Sequence, residues 1–174
     1  MRLATVGILC MLAFAGCARS SPPPADPNLI DCSGVYPSPS LKYRVVVPRG
    51  TGVQYSIWPA AGDRAELEHR NRAGRHMWWF LYWGEDDSLW HYTGDNGEFM
   101  VWQRDAQGVW VRHDVVWWSD DGSSCHFDDE LIGRMPVGVL RNLDPSAVEE
   151  WGLKEVQDAA GKVRVTRDLP PLPG

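Results

Sequence analysis

The side chains with the greatest potential for chemistry are the histidines and cysteines. Five histidines are scattered along the chain, at His69, His76, His91, His113 and His126. None is placed at metal-ligand spacing from another strong ligand. The sequence also lacks the G-x-S-x-G, H-E-x-x-H and P-loop motifs. It therefore predicts no enzyme, no metal site and no cofactor, although catalytic groups that meet only in the folded chain leave a hydrolase open as an alternative.

Acidic residues outnumber basic ones, 23 to 17, which gives a net charge of −6. This balance argues against nucleic acid as a partner. The acidic clusters at 85–87, 120–121 and 128–130 lack the D-x-D-x-D-G pattern of a calcium loop, so we expect solvated loops there. The basic stretch 64–76 is expected to form a solvated edge strand and turn, with contact to anionic lipid headgroups as the alternative.

The chain contains 10 tryptophans, and several fall in strand-like segments. Segments 99–104 and 109–118 are joined by the turn-forming letters DAQG and predict a hairpin. If Asp105 and Gly108 flank a two-residue turn, Trp102 lies opposite Val111 and Gln103 opposite Trp110. Side chains alternate between the faces of a strand. One face of this hairpin then forms a core, with His113 as a buried histidine.

The other face of that hairpin is our candidate recognition face, and it comprises Gln103, Trp110, Arg112, Asp114 and Trp118. Aromatic platforms flanked by hydrogen-bonding groups can stack on sugar rings or anchor a protein partner. The alternative is structural: Trp110 and Trp118 pack against a helix or against the arginine side chains around them.

The first 16 residues have the pattern of a signal peptide. Arg2 is followed by a stretch from Leu3 to Gly16 without a charged residue, which is shorter than the roughly 20 residues of a membrane span. Its last residues with Cys17, Phe-Ala-Gly-Cys, resemble the bacterial lipobox, with Phe14 where leucine is usual. The resemblance covers residues 1–17 only.

The lipobox resemblance implies cleavage before Cys17 and attachment of lipid, with palmitate-type acyl chains, to that cysteine. Ala18 follows the cysteine, which by the same resemblance favours the outer membrane, facing the periplasm. With Cys10 removed and Cys17 acylated, Cys32 and Cys125 remain. An exported chain most simply joins them in a disulfide, and two free thiols are the alternative.

The domain prediction divides the chain into four parts. Residues 1–16 are a signal peptide, 17–28 a lipidated cysteine with a Pro-rich tether, 29–168 one β-rich domain, and 169–174 a Pro-rich tail. Alternating segments bounded by Gly and Pro predict an antiparallel sandwich or barrel. Asp144-Pro145-Ser146 predicts one short helix near the C-terminus, and 154–157 with 162–166 predicts a last hairpin, with a longer helix through Ala160 as the alternative.

These features predict a lipid-anchored envelope protein that is a non-catalytic binding module for a protein or a cell-wall glycan. Lysozyme inhibitors and immunity proteins share this cellular location and size, although the sequence contains none of their motifs. A cell-wall-directed hydrolase and a structural subunit of an envelope assembly are the alternatives. A surface groove with converging histidines and carboxylates would favour the hydrolase, and an exposed tryptophan-rich face would favour binding.

Overall fold

The computed structural model describes residues 26–50, 53–70, 78–94 and 98–168. Within these ranges the chain forms twelve strands and three short helices. The strands are β1 Leu29–Ile30, β2 Gly34–Pro37, β3 Tyr43–Val47, β4 Gln54–Pro59, β5 Leu67–Arg70, β6 Trp79–Trp83, β7 Leu89–Thr93, β8 Glu98–Arg104, β9 Trp110–Trp118, β10 Cys125–Phe127, β11 Leu153–Gln157 and β12 Val163–Arg167. The helices are α1 Asp129–Arg134, α2 Val137–Asn142 and α3 Pro145–Glu150.

The middle layer is a six-stranded antiparallel sheet in the order β1-β6-β7-β8-β9-β10. Its strand β6 has the sequence WFLYW, and successive side chains point to opposite faces. Phe80 and Tyr82 face one side, and Leu81 and Trp83 face the other, and all four are buried. Strand β6 is therefore covered on both sides.

A second antiparallel sheet, in the order β2-β3-β4-β5, packs on one face of the six-stranded sheet. We call the layer between them the sandwich core. It contains the buried side chains Ile30, Val45, Val47, Val53, Tyr55, Ile57, Leu81, Trp83, Leu89 and Trp110. Strand β5, with the alternating sequence LEHR, lies at the sheet edge, as its polarity predicts.

The opposite face of the six-stranded sheet is covered by the three helices and the β11–β12 hairpin. This helix-side core includes Trp151, which stacks on Phe99 with ring centroids 5.9 Å apart. The predicted C-terminal helix is confirmed as α3, whose N-cap Asp144 accepts a hydrogen bond of 2.9 Å from the Ser146 backbone amide. The predicted last hairpin is also confirmed, so the longer helix through Ala160 is wrong.

Helices α1 and α2 were not predicted, because each is too short to show a helical period and neither begins with the polar cap followed by proline that indicated α3. The N-cap of α1 is Asp128, in the acidic run that we expected to be a solvated loop; it accepts a hydrogen bond of 2.9 Å from the Leu131 backbone amide. The mainly β, antiparallel prediction is confirmed, and the two large sheets are arranged as a sandwich.

The predicted register of the β8–β9 hairpin is wrong by one residue. Gly108 adopts a φ of 79°, and the Asp105 amide bonds the Val109 carbonyl at 2.9 Å, so the loop holds three residues and not two. Trp102 consequently lies opposite Arg112, and Arg104 opposite Trp110. A one-residue slip moves side chains to the other face, which places Trp110 in the sandwich core and leaves His113 exposed.

A bulge divides β9 near its C-terminal end. Met100 pairs with Asp114, whereas Phe99 pairs with Val116, so Val115 is an extra residue in the ladder. The alternation of faces therefore reverses after Val115. Trp118 follows Val116 toward the helix side, while Trp117 faces the other side of the sheet.

Asp26 and Asn28, which the domain prediction assigned to the tether, contact the β-rich domain. The Asn28 carbonyl accepts a hydrogen bond of 3.1 Å from the Trp83 backbone amide. The Asp26 carboxylate accepts one of 2.7 Å from the Tyr82 hydroxyl. The predicted signal peptide, Cys17 and the Pro-rich tail lie outside the described residues.

Candidate functional site

The five residues of the candidate recognition face do not share one face of the sheet. Trp110, Arg112 and Asp114 lie on the side of the sandwich core, because they oppose Arg104, Trp102 and Met100. Gln103 pairs with Val111 on the other side, where the bulge also places Trp118. The predicted single platform is therefore wrong, and the hairpin loop and the bulge are the physical reasons.

Trp110 has a structural environment. It is 7% exposed, and its Nε1 donates a hydrogen bond of 3.0 Å to Glu66 Oε2. Tyr43 meets its ring edge-on at 5.2 Å, and the Arg104 guanidinium lies 5.9 Å from the ring centroid. Packing beneath an arginine side chain was the alternative to recognition for this residue, and the structure supports it.

Three other tryptophans are exposed at one end of the six-stranded sheet. Trp78 precedes β6 and is 57% exposed, and Trp117 and Trp118 end β9 and are 42% and 49% exposed. The pairings Trp79–Thr93, Thr93–Glu98 and Phe99–Val116 place these positions at the same end. We call it the tryptophan end. Trp117 also stacks on His126 with ring centroids 5.6 Å apart.

A second cluster lies between the two large sheets near the same end. His69 of β5, His91 of β7 and Glu98 of β8 place their ligand atoms within 4.8 Å of one another. The His69 and His91 rings meet edge-on, with centroids 4.9 Å apart. The sequence analysis treated these histidines as scattered, because 22 positions separate His69 from His91. The cluster forms only when β5 packs across β7.

Tyr55 and Trp102 support the histidines. The Tyr55 ring stacks on His69 at 4.8 Å, and its hydroxyl lies 3.1 Å from His91 Nδ1. Trp102 Nε1 donates a hydrogen bond of 2.8 Å to the Tyr55 hydroxyl oxygen. The second ring nitrogen, Nε2, of both His69 and His91 is buried and has no hydrogen-bond partner among the described residues.

Burial determines the protonation state of both imidazoles. Burial, with the nearby Arg112 charge as a smaller cause, lowers the pKa of His69 to about 4. Burial also lowers the pKa of His91 well below its ordinary value, assisted by the charges of His69 and Arg112. Both rings are therefore neutral at pH 7.

Among the described residues, Glu98, Arg112 and Asp114 are charged groups beside the cluster. Arg112 Nη2 lies 2.6 Å from Asp114 Oδ1 and 3.9 Å from Glu98 Oε1. The Arg112 guanidinium thus lies close to two carboxylates. The carboxylate of Glu98 beside two neutral imidazoles offers an anionic ligand to a cation.

Cys32 and Cys125 are not joined, so the predicted disulfide is wrong. Cys32 follows β1, Cys125 begins β10, and these strands form opposite edges of the six-stranded sheet. Five strand spacings separate the edges by about 24 Å, whereas a disulfide needs Cα atoms within about 7 Å. Cys32 Sγ instead lies 2.9 Å from the Tyr36 hydroxyl, and burial raises the pKa of the Cys125 thiol.

An open groove of about 440 Å³ lies between α2, α3 and the β11–β12 hairpin, lined in part by Leu140, Leu143, Val148 and Leu153. Charged side chains around it pair with one another. Arg141 Nε contacts Glu155 Oε1 at 2.7 Å, and Lys154 Nζ contacts Asp168 Oδ1 at 2.5 Å. The Arg141–Glu155 pair links α2 to β11, and the Lys154–Asp168 pair links β11 to the residue that follows β12.

Comparison of the chain with family models, with curated proteins and with solved structures finds no match. Among the described residues, no helix has the length and apolar character needed to cross a membrane.

Proposed function

We propose that this protein is a lipid-anchored lipoprotein of the cell envelope that acts as a non-catalytic binding module for a protein or a cell-wall glycan. The lipid is attached at Cys17, and the outer membrane, on its periplasmic side, is the proposed location. The observation that carries the proposal is the group of exposed tryptophans at the tryptophan end. An exposed aromatic ring costs little conformational entropy to fix and offers a large contact area to a sugar or a protein.

The position of the N-terminal chain supports this proposal. Asn28 bonds to Trp83, and Leu29 pairs with Tyr82, so the chain enters the sheet at the end opposite the exposed tryptophans. A domain held to the membrane through residues before Asp26 would then present Trp78, Trp117 and Trp118 on the side away from its attachment.

The binding test uses purified cell-wall sacculi as the probe. Wild-type protein and the variants Trp117→Ala and Trp118→Ala are mixed with sacculi, and the sedimented fraction is measured. Val109→Ala is the matched control, because Val109 is 59% exposed at the opposite end of the same hairpin. We expect both tryptophan variants to lose sedimentation and the control to retain it. Equal sedimentation of all four proteins would remove the tryptophan end as a glycan-binding surface.

The lipid anchor has its own test. Cys17→Ser should leave the protein unacylated and shift it from the membrane fraction to the soluble fraction, while Cys10→Ser should not. An intact mass that corresponds to an unlipidated wild-type chain would overturn the proposed anchor.

A hydrolase is the second candidate function, and the convergence of His69, His91 and Glu98 is the observation that favours it. The measurement is the release of soluble fragments from sacculi by wild-type protein and by Glu98→Gln. Release that is lost in Glu98→Gln would replace the binding proposal with a catalytic one.

A further inference from the structure

We propose that His69, His91 and Glu98 form a binding site for a divalent transition-metal ion, with zinc as the best chemical match. Two imidazoles and one carboxylate are a ligand set that zinc accepts at three protein positions, with a fourth left open. The inference does not depend on the proposed binding function, because it concerns the space between the sheets and not the exposed tryptophans.

The geometry of the three side chains is the first argument. Their ligand atoms all lie within 4.8 Å of one another. Bonds of about 2.0–2.1 Å to a tetrahedral zinc ion place ligand atoms about 3.3 Å apart. The site therefore needs to contract by at most about 1.5 Å. A rotation of the Glu98 side chain, at the first residue of β8, supplies movement of that size.

The buried imidazole nitrogens are the second and independent argument. His91 has no exposed surface, and its Nε2 has no hydrogen-bond partner in the described part of the chain. The Nε2 of His69 is also buried and also has no hydrogen-bond partner among the described residues. A buried polar atom without a partner is unfavourable, and two such atoms lie close together here. A metal ion bound to both nitrogens would remove this cost.

The surroundings of His91 also suit a metal ligand. Metal-bound histidines usually donate their second ring N–H to an oxygen atom. With a metal on Nε2, the proton of His91 resides on Nδ1, 3.1 Å from the Tyr55 hydroxyl oxygen. Tyr55 then accepts this bond and the bond from Trp102, as its two lone pairs allow.

Thr93 supplies a polar group for the fourth position. It pairs directly with Glu98 across β7 and β8, so the two side chains share one face. Thr93 is fully buried, and its Oγ1 is the remaining buried side-chain atom without a partner among the described residues. A water molecule at the fourth position of the metal can use this hydroxyl group.

The experiment titrates zinc chloride into the purified, untagged full chain in detergent micelles, with calorimetric detection. We expect one bound zinc ion per chain. Cobalt(II) serves as a second probe, because tetrahedral cobalt absorbs visible light strongly. The absence of a sulfur-to-cobalt charge-transfer band would distinguish this site from binding by Cys32 or Cys125.

Three variants decide whether the named residues are the ligands. His69→Gln and Glu98→Gln should weaken zinc binding more than about tenfold, while His113→Gln, an exposed histidine of β9, is the control and should bind like wild type. His69 is chosen over the fully buried His91 because it lies on the edge strand β5, where a substitution disturbs the fold less. Circular dichroism verifies that His69→Gln is folded. No zinc binding by wild type, or equal affinity in His69→Gln and Glu98→Gln, would overturn the proposal.

Discussion

The Tyr55 hydroxyl group links His91 to Trp102, with its oxygen 3.1 Å from His91 Nδ1 and 2.8 Å from Trp102 Nε1. Tyr55 belongs to the four-stranded sheet, and the other two residues belong to the six-stranded sheet. This polar chain crosses the layer between the two sheets, and burial raises the pKa of the Tyr55 hydroxyl. It therefore fixes the orientation of the His91 ring between the sheets.

The first prediction concerns the contribution of Tyr55 to metal binding. Tyr55→Phe removes the oxygen that orients His91 but retains the ring that stacks on His69. We expect zinc affinity to fall by about 10- to 100-fold, as is typical when such a supporting group is lost. Calorimetry measures the change. Tyr43→Phe is the control, since the Tyr43 ring packs on Trp110 outside the site; an equal loss in that variant would assign the effect to general destabilisation.

The second prediction is that replacing Arg112 strengthens zinc binding. The Arg112 guanidinium lies 3.9 Å from Glu98 and repels any cation bound to that carboxylate. Arg112→Gln should therefore tighten zinc binding, by about two- to tenfold, because a partly exposed charge is screened. The gain should shrink at high salt. Arg164→Gln, an exposed arginine of β12, should change nothing. Weaker binding in Arg112→Gln would show that Arg112 supports the site.

The overall fold could be predicted because it depends on local patterns. The alternation of β4, the apolar run of β6, the edge position of β5 and the cap at Asp144 are each determined by a few neighbouring residues. These patterns led to the correct fold class and to the correct last hairpin. The six-residue helices α1 and α2 lack a periodic stretch long enough to predict.

The site depended on details that local patterns do not contain. The extra residue in the loop at Gly108 places Trp110, Arg112 and Asp114 on the face opposite Gln103, and the bulge at Val115 returns Trp118 to the face of Gln103. The histidine cluster joins strands of two different sheets, so no spacing in the sequence indicates it. The disulfide prediction failed for the same reason, since the cysteine count does not reveal which sheet edge each cysteine occupies.

The third prediction compares the contributions of the buried Trp110 and the exposed Trp118 to the stability of the fold. Trp110→Ala should lower the free energy of unfolding by about 3–5 kcal/mol, because it leaves a cavity in the sandwich core and removes the hydrogen bond to Glu66. Trp118→Ala should change it by no more than about 0.5 kcal/mol, because nearly half of Trp118 is already exposed. Urea denaturation followed by circular dichroism measures both. Comparable losses in the two variants would contradict the assignment of Trp110 to the core.

The last prediction concerns the junction between the tether and the domain. The Tyr82 hydroxyl donates a hydrogen bond of 2.7 Å to the Asp26 carboxylate. Burial, followed by this bond to a charged acceptor, raises the pKa of Tyr82 to about 12. Because the pKa in the folded state exceeds the unfolded value of about 10, the folded state holds the proton more tightly. The resulting stabilisation is complete below pH 10 and is lost as the pH rises to 12.

We therefore expect the free energy of unfolding of the wild type to fall between pH 10 and 12. Over this pH range, the free energy of unfolding of Tyr82→Phe should fall by about 1–2 kcal/mol less than that of the wild type, after allowance for solvent screening. Some slope should remain, because burial also raises the pKa of Tyr92 to about 12. Asp26→Asn, which keeps an acceptor but removes the charge, should flatten the decline less than Tyr82→Phe. Denaturant titrations across this pH range provide the measurement, and identical slopes in wild type and Tyr82→Phe would show that the Asp26–Tyr82 bond does not hold the start of the domain to the sheet.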